Sequence, residues 1–174
     1  MTDRFRKLAE EYRDRVYTFA LYSLRNAEDA DDVTQDVLIR LWQNTDAIDV
    51  ERAGAWIMRV ARNAVIDVTR RRKTRAGVIA EEVDHELAAN YAMSEPDTDR
   101  RVASREFRED LESALAEIGE PYRSILIMRE VQELSYGEIT EAVDMPLNTV
   151  KVYLHRGRRM LRKMLKERYG TDAA

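Results

Sequence analysis

Apolar residues recur at helical spacing along most of this chain. Phe5, Leu8, Tyr12, Val16, Phe19, Ala20 and Leu24 share one face, which predicts an amphipathic helix over residues of about 4 to 25. The next stretch, "NAEDADDVTQDVLIRLWQN", places Ala30, Val33, Val37 and Leu41 on one face. Its acidic start suits the positive end of a helix dipole. "TDAIDVERAG" reads as a loop or short broken helix, closed by Gly54. "AWIMRVARNAVIDVTRRRK" is a third helix, with Ile57, Val60, Ala61, Ala64, Val65 and Val68 turned toward a core. Periodicity then fades through "TRAGVIAEEVDHELAANYAMSEPDTDRR", which reads as a linker, flexible or only locally helical. It resumes with Phe107, Leu111, Leu115 and Ile118 and is broken by Gly119 and Pro121. "YRSILIMREVQ" is a further helix, and two more follow. The expected fold is all-α: two small helical domains over residues 1–75 and 106–174, joined by an acidic linker over 76–105.

Composition sharpens this picture. Only 6 glycines and 3 prolines stand in 174 residues, so helix formers dominate. No cysteine is present, which excludes disulfides, thiolate metal sites and cysteine nucleophiles. The start, "MTDRFRKLAEEYRDR", carries no apolar signal core. No apolar run approaches the roughly 20 residues that a membrane span requires. A soluble, cytoplasmic protein is expected.

Charge changes the picture more. The formal net charge is −4, yet the charges come in blocks. Asn26 to Glu51 holds eight acidic residues and one basic; Arg59 to Arg75 holds seven basic and one acidic. Glu81 to Arg100 holds seven acidic and one basic; Met145 to Arg168 holds eight basic and one acidic. Solvated helix faces usually mix signs. Two basic blocks separated by an acidic one point to two contact surfaces for a polyanion.

The second basic block lies in a recognisable motif. Ser135 precedes "YGEI" with Glu138 three residues on, a capping-box pattern. A short helix from Tyr136 to about Val143 is followed by the turn "DMPL", where Pro146 cannot continue a helix. Asn148 is a good N-cap for a long helix reaching about Arg168. Together these make a helix-turn-helix. In the long helix Val150, Leu154, Gly157 and Leu161 line one stripe, expected to pack on Ile139, Val143 and the preceding helix. Lys151, Val152, His155 and Arg156 point outward in the first turns and are the candidates for base contact. Arg158, Arg159, Arg162 and Lys163 are the candidates for phosphate contact. His155 is a poor metal ligand, because the other histidine, His85, lies in the linker.

The first basic block has a comparable stripe. Opposite the apolar positions of the third helix lie Trp56, Arg59, Arg62, Asn63, Ile66 and Arg70, with Asp67 alongside. Aromatic and guanidinium planes stack on unstacked bases, and an amide reads a base edge, so this stripe suits single-stranded nucleic acid. The second helix carries Asp32, Gln35, Asp36, Ile39 and Gln43 outward, with Trp42 at the border. An apolar pair ringed by carboxylates suits a basic protein partner. Asp29, Asp31 and Asp32 lack the loop spacing of a metal site, and no cofactor or metal is expected.

These residues resemble a known family. "DADDVTQDVLIRLWQN" followed by "AWIMRVARNAVIDVTRRRK" resembles region 2 of bacterial sigma factors. "LAEIGEPYRSILIMREVQELSYGEITEAVDMPLNTVKVYLHRGRRML" resembles their region 4. With these two regions alone, the chain resembles an extracytoplasmic-function (ECF, group 4) sigma factor. The resemblance implies a dissociable RNA polymerase subunit with no catalysis of its own. Its region 2 would dock on the clamp of the largest polymerase subunit through Asp32, Asp36, Ile39 and Trp42. It would also melt and read the promoter −10 element, with Asn63 and Asp67 beside a loop that captures a flipped base. Its region 4 would read the −35 element and touch the polymerase flap. The acidic linker would pass near the active-centre cleft and RNA exit path. A separate anti-sigma factor is a common regulator in this family. The alternative, a helix-turn-helix regulator that binds duplex DNA without polymerase, accounts for the C-terminal half alone. An enzyme is disfavoured, since no nucleophile–base pair, metal cluster or phosphate loop stands in the sequence.

Overall fold

The structure is a computed structural model, and it describes residues 3–79 and 99–170, with side chains over 3–77 and 105–170. The chain forms two compact units, one N-terminal and one C-terminal. Every described element is helical, as the apolar spacing predicts.

The N-terminal unit contains α1 (Asp3–Leu24), α2 (Ala27–Asn44) and α3 (Ala53–Ile79), packed pairwise on one another. The predicted apolar stripes form its core. Leu8, Val16, Phe19, Ala20 and Leu24 of α1 are buried against Ala30, Val33, Val37 and Leu41 of α2. From α3 come Ile57, Ala61, Ala64 and Val65, joined by Met58, which the spacing did not single out. The α1–α2 turn is tight. Arg25 takes a left-handed conformation (φ 50°), and the Asn26 side chain then caps α2 by accepting from the Asp29 amide at 2.8 Å.

"TDAIDVERAG" folds as turns plus a single 3-10 turn, Val50–Arg52, capped by the Asp49 side chain. Gly54 does not close this loop as expected. It sits in the first turn of α3, where a Cβ would lie 2.6 Å from the Tyr12 hydroxyl. The glycine leaves room for the Tyr12 ring of α1 to lie against the start of α3. Arg4 of α1 also donates to the Ile48 carbonyl, which ties the same loop down from its other end.

The C-terminal unit contains α4 (Asp99–Glu117), α5 (Tyr122–Leu126), α6 (Tyr136–Val143) and α7 (Leu147–Tyr169). One π-helical turn, Ile127–Val131, extends α5. The run from Ile125 to Met128 is fully buried and forms the centre of the unit. Leu115 and Ile118 of α4, Ile139 and Val143 of α6, and Val150 and Leu154 of α7 close around it. Phe107 departs from expectation: it is 49% exposed and leans on Tyr169, centroid to centroid 6.2 Å. The linker expected over 76–105 is helical at both described ends, because α3 continues to Ile79 and α4 starts at Asp99. Its centre, with His85, lies outside the described residues.

The helix-turn-helix forms as read, with one correction. Both halves of the capping box are present: Ser135 Oγ accepts from the Glu138 amide at 3.2 Å, and Glu138 accepts from the Ser135 amide at 2.7 Å. Asp144 ends α6 in the left-handed region (φ 55°), which an aspartate tolerates better than most residues. Asn148 is not the N-cap of α7. Pro146 holds that position, extended at φ −60° and ψ 150°, and its carbonyl accepts the first helical bond from Val150 at 3.0 Å. The locked proline ring has already set the entry into the helix, so Asn148 becomes an exposed first-turn residue.

Candidate nucleic-acid interface

Helix α7 divides cleanly. Val150 is 0% and Leu154 1% exposed, and Gly157 is buried where a Cβ would come within 3.0 Å of Leu126 Cδ1. Lys151, Val152, His155, Arg156, Arg159, Arg162 and Lys163 are all exposed. Val152 is an apolar side chain presented to solvent directly after Lys151, 47% exposed. Around it stand cations, so the surface offers both charge and an apolar contact to a groove.

Arg158 is the predicted site residue that the structure sets apart. Its Nε donates to Glu130 Oε1 at 2.7 Å, and its Nη2 lies 2.6 Å from the same oxygen. The guanidinium therefore ties α7 to the π-turn that carries Glu130. Arg168 does the same at the far end. It donates to the Asp110 carbonyl at 2.9 Å, to Ser113 Oγ at 3.1 Å and to Glu117 at 2.7 Å, all on α4. Tyr169 donates to the Asp110 carboxylate beside it, a bond that pushes its phenol above the ordinary range.

On α3 the predicted stripe is present as a set of neighbours. Arg59, Asn63 and Arg70 are exposed, while Trp56, Arg62, Ile66 and Asp67 are half-buried. Asp67 lies 3.9 Å from Arg70. Arg72, in the middle of "RRRK", has a different task. It donates to the Leu24 carbonyl at 3.0 Å and pairs with Asp29 at the start of α2. It thus joins the end of α1 to the start of α2. The signal was in the spacing: Arg72 follows Val65 by seven residues and Val68 by four, on the core register.

On α2, Ile39 is 54% and Trp42 60% exposed, an apolar pair open to solvent. Asp32 and Gln35 are exposed beside them, and Asp36 is half-buried and paired with Arg40 at 3.0 Å. Tyr136 and Arg129, to which the sequence reading gave no role at the site, stand next to the recognition helix. Arg129 and Lys151 both lie over the ring of Tyr136. Among the described residues, no cluster of three or more His, Asp or Glu could hold a metal, and no helix is long and apolar enough to cross a membrane.

The two units match two known families. The model of sigma-70 region 2 fits residues 8–75, and that of sigma-70 region 4 fits residues 108–161. The chain is 31% identical over 169 residues to the ECF RNA polymerase sigma factor SigW of Bacillus subtilis, covering 95% of this chain and 90% of that one. The chain belongs to the ECF RNA polymerase sigma factors. It is also 31% identical over 164 residues to the ECF sigma factor SigL of Mycobacterium tuberculosis, with 93% and 89% covered. The fold recurs in the sigma factor RpoE of Bartonella quintana, solved in complex with the anti-sigma factor NepR. That likeness has a TM-score of 0.72 at 20% identity, over 95% of this chain and 98% of that one. It recurs again in CnrH, solved with the cytosolic domain of CnrY, at a TM-score of 0.67 and 19% identity over 94% and 88%. As an ECF sigma factor the chain is a dissociable, non-catalytic subunit of RNA polymerase that directs promoter recognition.

Proposed function

We propose a division of this sigma factor into three working surfaces. The α2 face of Asp32, Gln35, Asp36, Ile39 and Trp42 docks on the clamp of the largest polymerase subunit. The α3 stripe of Trp56, Arg59, Arg62, Asn63, Asp67 and Arg70, with the loop before it, engages the melted −10 strand. Helix α7 reads the −35 duplex through Lys151, Val152, His155 and Arg156, with Arg159 and Arg162 on phosphate, while the C-terminal unit touches the polymerase flap. Arg158, bound to Glu130, is withdrawn from the phosphate set.

One observation carries the reading. The only apolar pair of adjacent helical turns left open on described α2, Ile39 and Trp42, sits among carboxylates, whereas the exposed face of α7 is cationic. The first suits a basic, partly apolar protein; the second suits DNA. Such a surface on α2 has no use in a protein that binds duplex DNA alone. The anti-sigma factor seen on the solved RpoE relative supports a separate inhibitor for this chain as well.

The test is transcription in vitro by core polymerase with this protein on a genomic fragment library. Discrete starts sharing a −35 and −10 motif are expected, and Ile39→Ala with Trp42→Ala should abolish them by weakening core binding. Strong specific binding of the isolated protein to duplex, with no new starts, would favour the regulator alternative.

A further inference from the structure

We propose that Tyr136 is a positioning residue that holds Lys151 as a phosphate contact at the −35 element, leaving base reading to Val152, His155 and Arg156. The inference rests on the reading of α7 above and refines it by moving Lys151 from the base contacts to the phosphate contacts. Arg129 Cζ lies 4.8 Å and Lys151 Nζ 5.8 Å from the centroid of the Tyr136 ring. The negative face of an aromatic ring attracts cations at such distances. Tyr136 is half-buried and opens α6 directly behind the Ser135 cap, so the capping box fixes its backbone. Arg129 is itself held, since its Nη1 donates to the Leu134 carbonyl at 2.7 Å. One ring therefore links the π-turn, the first helix of the motif and the recognition helix.

A lysine stem is long and flexible, and its ammonium is otherwise a freely swinging point charge. The ring draws it toward the α6 side of α7. In a helix-turn-helix the first helix crosses the DNA backbone while the second lies in the major groove. A cation drawn toward the first helix meets phosphate. Val152 and Arg156 lie roughly 100° and 140° further round α7 and turn toward the groove, with His155, roughly 40° round, between them and Lys151. Two like charges gathered at one ring also repel each other, and an arriving phosphate relieves that repulsion.

The test uses holoenzyme assembled from core polymerase and the full chain. The probe is a duplex promoter fragment that this holoenzyme recovers from a random-sequence library, plus fragments with single −35 substitutions. Lys151→Gln is expected to weaken binding by the same factor on every fragment and to lower the slope of log affinity against log salt by about 1. Tyr136→Leu should cost about threefold, and Tyr136→Phe, which keeps the ring, less than about twofold. In the Lys151→Gln background Tyr136→Leu should have no further effect. NMR of the free full-length chain adds a readout independent of DNA. The Lys151 ε-methylene protons should be shifted upfield by the ring, and the shift should survive Tyr136→Phe and vanish in Tyr136→Leu.

A Lys151→Gln loss confined to one −35 position would overturn the proposal, because Lys151 would then read a base. Equal losses for Phe and Leu would overturn it in favour of a hydroxyl contact. An undiminished Tyr136→Leu loss in the double variant would reduce Tyr136 to a fold residue. No effect of Lys151→Gln also overturns it. Arg156→Ala, measured alongside, then tells whether the reading of α7 falls with it.

Discussion

Helices α3 and α7 are built from similar material and use it differently. Both are long, both bury one apolar stripe, and each carries more positive charge than any other helix of its unit. In α3 the cation at the core register, Arg72, joins α1 to α2. In α7 the cations at or beside the core register, Arg158 and Arg168, fasten the helix to the π-turn and to α4. Off that register, Arg70 on α3 faces Asp67 within its own helix at 3.9 Å, and Lys151, Arg156, Arg159 and Arg162 on α7 are exposed. The lesson is that register, more than composition, sorts these arginines into those that hold the fold and those we propose for DNA contact. The two helices differ in how much help the fold gives. Helix α7 is delivered by a capping box, a proline entry and a close approach at Gly157, whereas α3 is held on α1 through Gly54 and Tyr12.

The largest expected effect lies under α7. Leu154 is 1% exposed, so Leu154→Ala should cost about 2–5 kcal/mol of unfolding free energy, read by denaturant titration. Arg159→Ala, one helical turn on and exposed, should leave the midpoint unchanged. Next, Arg156→Ala should weaken holoenzyme binding to −35 duplex by about 1–3 kcal/mol and shift the selected base at one position. A loss equal on all sequences would make Arg156 a phosphate contact. Smaller again is the α3 pair. Arg72→Gln removes a bond to the Leu24 carbonyl and the partner of Asp29, both partly exposed, and should cost about 1 kcal/mol of stability. Arg70→Gln should leave stability alone and slow open-complex formation; the reverse outcome would break the register rule on α3.

The smallest effect concerns pH. The hydrogen bond to Asp110 raises the Tyr169 pKa above its unfolded value. The protonated phenol is therefore favoured by folding. Its contribution is whole below the unfolded pKa and is lost as pH rises through the folded one. Stability should fall across the alkaline range more steeply in the native chain than in Tyr169→Phe, as thermal melts would show.

Local signals were the most legible. Ser135 and Glu138 announce their capping box because both halves lie within one turn. The stripes of α1 and α2 match their buried residues, since a helix that packs on one side writes its period into the sequence. What escaped depended on neighbours far along the chain. Asn148, the one local exception, is an attractive cap by type, and Pro146 displaced it by fixing the backbone two residues earlier. Phe107 reads as core, yet α4 leaves it half-exposed on Tyr169, a residue far along the chain. The π-turn at Ile127–Val131 has no compositional mark among buried apolar residues. The Glu130 partner of Arg158 escaped because it lies 28 residues earlier, on another element. Tyr136 escaped because its partners, Arg129 and Lys151, come from two other elements.

The register rule is tested most directly by the salt dependence of holoenzyme binding to a promoter duplex, compared for two paired variants. Arg159→Gln with Arg162→Gln should lower the log–log slope by about 2 while thermal stability stays at the native value. Arg158→Gln with Arg168→Gln should leave the slope near native and lower the melting temperature. A slope reduced equally by both pairs, with melting unchanged in either, would contradict the division.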